Sequence, residues 1–283
     1  MPEGDTIFRA ARTLNLALAG QKITSFESVL PHLARVDDDQ GLVGRTVEKV
    51  EAHGKWMLIY FSGDLILLSH MLMSGSWHIY RPGEAWKRNR YHMRVVIGTP
   101  KILAVAFNVP VAEFHTAGSL GRREGFKALG PSTLAREFDV DTVVARLRAR
   151  PDLEIGVSLL TQSLLSGIGN VFKSEICFAC GIHPFRRVAS LSDEDLKCLV
   201  SQSRKFMLAN VSEASGDKIT TYIPLRRTTG RVNPAERLWV YKRVGEPCRR
   251  CGGAIVSRKQ GLDARTSFWC PQCQPMEAKA ARA

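Results

Sequence analysis

The sequence predicts an α+β chain of several domains: a β-sandwich with flanking helices, then a helical region, then a small metal-bound hairpin. Three observations carry that expectation. Seven short β-rich runs divided by turn residues occupy positions 47–115. After a glycine-rich stretch at 117–133, apolar residues recur at helical spacing. Two Cys-x-x-Cys pairs, Cys248/Cys251 and Cys270/Cys273, then stand eighteen residues apart.

The elements follow in order. Ile7, Ala11, Leu14 and Leu18 form an apolar stripe, with Asp5 as the expected N-cap and Gly20 as the stop, so the chain opens with a helix. Strands are expected at Val47–Val50, Trp56–Phe61, Leu65–Ser69, Ser76–Tyr80, Tyr91–Ile97, Ile102–Phe107 and Val111–His115, with Ser62-Gly63-Asp64 turning the second into the third. The stretch 117–133, with Gly118, Gly121, Gly125, Gly130 and Pro131, reads as a linker. Helices are expected at Asp141–Leu147, Glu154–Leu165 and Val171–Ala179, the last two interrupted by Ser166-Gly167-Ile168-Gly169-Asn170. Ser192 and Asp195 form a capping box for a helix through Met207, and the polar stretch Ser212–Thr229 reads as a loop.

Composition excludes several classes. With 45% hydrophobic residues in 283, the chain can bury a core and is not a disordered polyelectrolyte. No window offers the ~18 to 20 apolar residues of a membrane-spanning helix, and the acidic start MPEGDTIFRA does not resemble a secretory signal. A cytoplasmic protein is expected, nucleoid-associated if bacterial, with no membrane partner. The net charge of +13 favours polyanions, nucleic acid foremost. The surplus is concentrated late: residues 241–283 hold nine Lys/Arg against three acids.

Cys248, Cys251, Cys270 and Cys273 have the spacing of a tetrahedral zinc site, with turn residues Pro247, Gly252, Gly253 and Pro271 around the pairs. Four protein ligands leave no open position, so one structural Zn²⁺ is expected, supplying folding free energy to a module with few large apolar side chains. Cys177, Cys180 and Cys198 have no partner pair and read as buried helical thiols.

Pro2 follows the initiator methionine, and removal of Met1 would expose a secondary amine able to attack an aldehyde-like carbon. Glu3 adjoins it, and the first helix aims its positive end at both, favouring an ionised acid and a less basic amine. A nucleophile beside a carboxylate is a catalytic pair.

At this point the sequence resembles the formamidopyrimidine-DNA glycosylase and endonuclease VIII family over nearly its whole length. The resemblance rests on Met1-Pro2-Glu3, Gly54-Lys55, the run Ser69-His70-Met71-Leu72-Met73-Ser74-Gly75-Ser76, and Leu129-Gly130-Pro131. It continues through Gln162 with Gly167-Ile168-Gly169-Asn170, Gly181-Ile182-His183-Pro184, and Arg265 through Cys273. It implies a bifunctional DNA glycosylase and abasic-site lyase of base excision repair, acting as a monomer on damaged double-stranded DNA. Pro2 would be the nucleophile and Glu3 the proton-transfer group; Lys55, contacting phosphate or sugar near the active site, and Arg265, presented to the phosphates beside the lesion, would complete the catalytic set. Met73 would fill the space left by the flipped base, core packing being the competing account of that residue. Gln162, Gly169 and Asn170 would belong to a DNA-binding helix-two-turns-helix element.

Two departures shape the substrate expectation. Thr6 stands where the family commonly has Glu, and the loop between Phe107 and Phe114 lacks the Arg-Phe element usual in the formamidopyrimidine branch. The opening Met-Pro-Glu-Gly also resembles the endonuclease VIII branch. Oxidised pyrimidines are therefore expected ahead of 8-oxoguanine, with a formamidopyrimidine-type enzyme and a catalytically silent zinc-finger DNA binder as alternatives. The expected organisation is a catalytic sandwich at 1–118, a linker at 119–133, a helical domain at 134–240, a four-cysteine finger at 241–275 and a tail at 276–283.

Overall fold

The computed structural model describes residues 2–212, 228–229 and 236–277. Met1, most of the expected loop at 212–229, and the tail from 278 lie outside the described residues. The chain divides into two compact units, separating between Ala128 and Leu129.

The first unit is a β-sandwich. Helix α1 (Gly4–Leu18) is followed by β1 (Ser25–Ser28), α2 (Pro31–Gln40), β2 (Val47–His53), β3 (Trp56–Phe61), β4 (Leu65–His70) and β5 (Ser76–Tyr80). A 3₁₀ turn at Arg90–His92 leads into β6 (Met93–Gly98), then β7 (Leu103–Phe107) and β8 (Val111–His115). One sheet has the order β1-β6-β7-β5 and the other β2-β3-β4-β8, and every pairing is antiparallel. The interior gathers Leu14 and Leu18 of α1, Ile59 and Phe61 of β3, Leu67 of β4, Trp77 of β5 and Ile97 of β6.

β3 and β4 read as nearly unbroken apolar runs because both faces of their sheet are covered. Leu58, Ile66 and Leu68 point away from the sandwich interior and pack with Leu120 and Phe126. Those two residues belong to short helices α3 (Ala117–Arg122) and α4 (Glu124–Lys127). The stretch read as a linker is thus partly helical: Thr116 and Ser119 form a capping box, and Leu120 supplies the apolar anchor that the glycines obscure.

Three other expectations shift. β1 and α2 are additional elements, too short and too polar to show a period. Helix α1 begins at Gly4 with Glu3 as N-cap, so Asp5 is not the cap. It sits buried in the first turn, 3.6 Å from Arg9 and accepting from the Thr6 hydroxyl at 3.3 Å.

The second unit holds α5 (Val140–Arg148), α6 (Ile155–Leu160), α7 (Asn170–Ala179), α8 (Asp193–Ser212) and a hairpin of β9 (Val256–Gln260) with β10 (Arg265–Trp269). The Ser192–Asp195 capping box forms, Ser192 Oγ accepting from Asp195 N at 3.1 Å and Asp195 Oδ2 from Ser192 N at 3.3 Å. Helix α6 stops five residues short of expectation, because residues 161–169 fold into the turns before α7. Cys177 is a buried thiol as expected, and burial pushes its pKa up to about 12. Cys180 and Cys198 are not free thiols. The end of α7 packs against α8 closely enough, with Cα atoms 6.1 Å apart, for a disulfide to join them.

Candidate active site and metal centre

In the first unit, register places the expected chemistry at one end of the sandwich. Helix α1 runs antiparallel to β2: Gly20 N donates to Val47 O at 2.8 Å, and Val50 N to the Asn15 side chain at 2.7 Å. Phe8 and His53 line one open cleft. The start of α1 therefore lies where β2 ends and turns through Gly54 and Lys55 into β3. From Asn15 back to Gly4 the helix covers about 16 Å, whereas Val50 to His53 covers about 10 Å, so the helix start overhangs the strand end. Pro2 and Glu3, both buried, are thus carried toward the Lys55 turn. A buried carboxylate at a helix N-terminus is stabilised by the unpaired backbone N–H groups there.

The same end receives the two crossovers between sheets. His53, Trp56, His70 and Val111 form one register row, and Ser76, Phe107 and Met93 form the facing row of the other sheet. Residues 71–75 and 108–110 join these rows. Met73 is 63% exposed at the tip of its crossover and Leu72 47% exposed. Core packing, the competing account of Met73, does not hold.

The tip is braced by residues that sequence reasoning did not select. His70 Nδ1 accepts the Leu72 N–H at 3.0 Å, holding Leu72 at φ 44°, a left-handed conformation that disfavours a branched side chain. That bond fixes the neutral tautomer with hydrogen on Nε2. Burial, aided by the charges of Lys55 and Arg123, lowers the His70 pKa to about 4. The imidazole meets Trp56 edge-on at 4.7 Å, and the Arg123 guanidinium lies 4.4 Å from the Trp56 ring centre. Arg123 makes a two-point pair with Glu113 at 2.6 and 3.0 Å, which, with His115 also donating, lowers the Glu113 pKa to about 2. Gly75 closes the turn, its N–H bonded to Met71 O at 2.8 Å, and a Cβ there would stand 2.6 Å from that oxygen. The Ser69-His70 run was the available signal in the sequence. Arg123 and Glu113 had none, because a tertiary pair leaves no local pattern.

In the second unit, the turns between α6 and α7 are closed by Gln162. Its amide nitrogen donates to Leu160 O at 2.8 Å and Ile168 O at 3.0 Å, and its oxygen accepts from Gly167 N at 3.0 Å. This side chain shapes the turn and has no hydrogen left for a ligand. Gly167 adopts φ 104°, open only to glycine, while Gly169 is extended and caps α7. Asn170 donates its amide N–H to Thr266 O at 2.9 Å, tying α7 to the strand that begins with exposed Arg265. One of the two hydrogens of the amide expected to face a phosphate is thereby engaged within the protein. Buried Glu175 completes the anchoring: its carboxylate accepts the N–H groups of Trp239, Val240 and Tyr241 at 2.8–2.9 Å.

The four cysteines converge. Their sulfurs lie within 4.8 Å of one another, with Cys248–Cys273 at 3.9 Å and Cys251–Cys270 at 3.4 Å. A tetrahedral zinc with bonds of about 2.3 Å requires sulfur separations of about 3.8 Å. Four thiolates at this spacing repel one another, so the cluster requires a cation among them. The donor set fits one structural Zn²⁺.

Three family models match the chain in order: the formamidopyrimidine-DNA glycosylase N-terminal domain over residues 1–110, the H2TH domain of the same glycosylase over 129–222, and a zinc finger found in FPG and IleRS over 245–275. A Streptomyces coelicolor protein named probable endonuclease 8 2 is 38% identical across 97% of this chain and 94% of its own length. A Mycolicibacterium smegmatis protein named DNA-(apurinic or apyrimidinic site) lyase Nei2 is 34% identical across 97% and 99%. Among solved structures, Lactococcus lactis Fpg in complex with abasic-site DNA superimposes with a TM-score of 0.80, covering 96% of this chain and 99% of that one at 22% identity.

Proposed function

The chain belongs to the formamidopyrimidine-DNA glycosylase and endonuclease VIII family, on its endonuclease VIII-like side, and from that premise we propose how its residues divide the work of a DNA glycosylase and abasic-site lyase in base excision repair. With Met1 removed, the Pro2 nitrogen attacks C1′ of the damaged nucleotide. The N-glycosidic bond breaks, and its electron pair leaves with the base, which takes up a proton. Glu3 delivers a proton to O4′ as the C1′–O4′ bond opens, leaving an iminium between Pro2 and C1′. Loss of a 2′ proton then expels the 3′ phosphate, and loss of a 4′ proton expels the 5′ phosphate. Hydrolysis frees Pro2.

Lys55 and Arg265 neutralise phosphates beside the lesion, and the Gly169–Asn170 turn approaches the backbone of the same DNA. Met73 enters the space vacated by the flipped base. Gln162 acts by shaping its turn. Zinc holds the Arg265 hairpin and takes no part in the chemistry. Oxidised pyrimidines are the preferred bases, supported by the Met-Pro-Glu-Gly opening and by a 108–110 loop with no Arg-Phe pair. The enzyme acts as a monomer, in the cytoplasm at the nucleoid.

One observation carries the reading: buried Pro2 and Glu3 arrive at the end of the sandwich from which Lys55 turns. Borohydride reduction in the presence of abasic-site duplex tests it. Wild type is expected to form a covalent adduct at the N-terminal peptide, and a chain extended before Pro2 to form none. Adduct formation by the extended chain would overturn the Pro2 assignment. A silent DNA binder would form none in either case, and a panel of oxidised pyrimidine and purine duplexes separates the two branches.

A further inference from the structure

Beyond the residues assigned above, the sandwich end that presents Met73 presents a second large side chain. Tyr91 is 81% exposed, on the 3₁₀ turn immediately before β6. Met93, Phe107 and Ser76 form one register row across β6-β7-β5, so Tyr91 leaves the sheet from the same end as the 71–75 crossover. The two departure points lie two strands apart, about 10 Å.

The turn beneath Tyr91 is fixed. Its N–H donates to Asn89 Oδ1 at 2.9 Å, its carbonyl accepts from Arg94 at 3.1 Å, and Asn108 N donates to His92 O at 2.7 Å. The His92 ring abuts the phenol edge-on at 5.6 Å. An exposed aromatic ring on an ordered backbone has little conformational entropy left to lose on stacking.

Its surroundings are cationic. Residues 87–94 hold Lys87, Arg88, Arg90 and Arg94 and no acid. Arg90 pairs with Glu27, whereas Arg94, bonded to the Tyr91 carbonyl, and Lys87 and Arg88, whose charges reach His78 of β5, have no acidic partner among the described residues. The 108–110 loop between Tyr91 and Met73, Asn108-Val109-Pro110, carries no aromatic ring to compete. Leu72, Met73 and Tyr91 thus form an apolar and aromatic edge flanked by unneutralised positive charge, which is complementary to a base attached to its phosphates.

Resting on the glycosylase reading, we propose that Tyr91 is a further DNA-contacting residue, stacking on the base left unpaired when the lesion is drawn out, beside Met73. The test uses a duplex with 2-aminopurine opposite an abasic site. Tyr91→Ala is expected to bind this duplex about tenfold more weakly than wild type and to lose the 2-aminopurine fluorescence change. Its binding to an undamaged duplex should be unaltered, and Tyr91→Phe should behave as wild type. Equal affinity and signal for Tyr91→Ala and wild type would overturn the proposal, as would an equal loss on damaged and undamaged duplexes. Wild-type borohydride trapping on the same abasic duplex is the separate readout: its failure would remove the glycosylase reading, whereas its success with an unaltered Tyr91→Ala would remove this inference alone.

Discussion

Two hairpins in this protein each present a cation, and they are held in opposite ways. Lys55 sits in the tight turn between β2 and β3, backed by a core cluster of 23 buried residues. Arg265 opens β10, backed by a cluster of six, two of which are the cysteines Cys248 and Cys270. The first hairpin is positioned by packing, which only unfolding of the sandwich removes. The second is positioned by thiolate coordination and a few hydrogen bonds, among them Asn170 to Thr266. The contrast means that metal status should govern one hairpin and leave the other in place.

The largest expected effect breaks that comparison directly. Zinc binding to such modules contributes on the order of 10 kcal/mol to folding. Cys270→Ser or chelation should therefore release the metal, make the 248–273 segment protease-sensitive, and weaken duplex binding. The near-ultraviolet circular dichroism from buried Trp77 should persist. A hairpin that stays protease-resistant without metal would show that packing suffices there too.

Next in size is the chemistry at the packed end. Glu3→Gln keeps the volume and removes the proposed proton-transfer group, so strand cleavage at an abasic site should fall about 10²- to 10⁴-fold. Binding to the same duplex should change little, since Lys55 and the sandwich are untouched. Cleavage within a factor of two of wild type would remove Glu3 from the mechanism.

What the sequence revealed follows the same division. The sandwich strands were legible because alternation and apolar runs are local, as in Trp56–Phe61 and Val111–His115, both at their observed bounds. The cysteine pairs were legible because metal geometry constrains spacing. Helix α3 was hidden: its single anchor, Leu120, is buried against β3 and β4, from which strands β5 to β8 separate it in sequence. The Glu113–Arg123–Trp56–His70 chain was hidden for the same reason, each link being tertiary. The Cys180–Cys198 disulfide was masked by a reading of composition where only the packing of α7 on α8 decides. Gln162 was legible as a motif residue, but its three backbone bonds emerge only from the folded turn.

That turn gives a third, smaller effect. Gln162→Ala leaves the Gly167 N–H and the Ile168 carbonyl without their partner, which should cost about 1–3 kcal/mol. The loss should appear as a lower urea midpoint for the helical unit, with the sandwich transition unmoved. An unchanged midpoint would mean that solvent replaces the amide at no cost, and that the turn is set by Gly167 alone.

The smallest effect distinguishes bracing from catalysis at the packed end. Glu113 is held at about 2 against an ordinary 4.5, so its pair with Arg123 is complete above pH 4.5 and is lost as the pH falls toward 2. His70 is lowered from 6.5 to about 4, so folding disfavours its proton. Its contribution is complete above pH 6.5 and declines as the pH falls toward 4, because the unfolded chain protonates first. Between pH 6.5 and 4.5 only the His70 decline operates within this pair of groups. His53, His78 and His183, also lowered, add to the total but are common to wild type and variant. His70→Asn retains an acceptor for the Leu72 N–H and cannot titrate, so its urea midpoint should fall less steeply than that of wild type over that interval. Glu113→Gln should leave that interval unchanged and flatten the decline below it, by less than about 1 kcal/mol for a partly exposed pair. Parallel profiles for His70→Asn and wild type would mean that the imidazole is not held neutral by its surroundings, and that the Leu72–Met73 tip is set by Gly75 and backbone geometry without it.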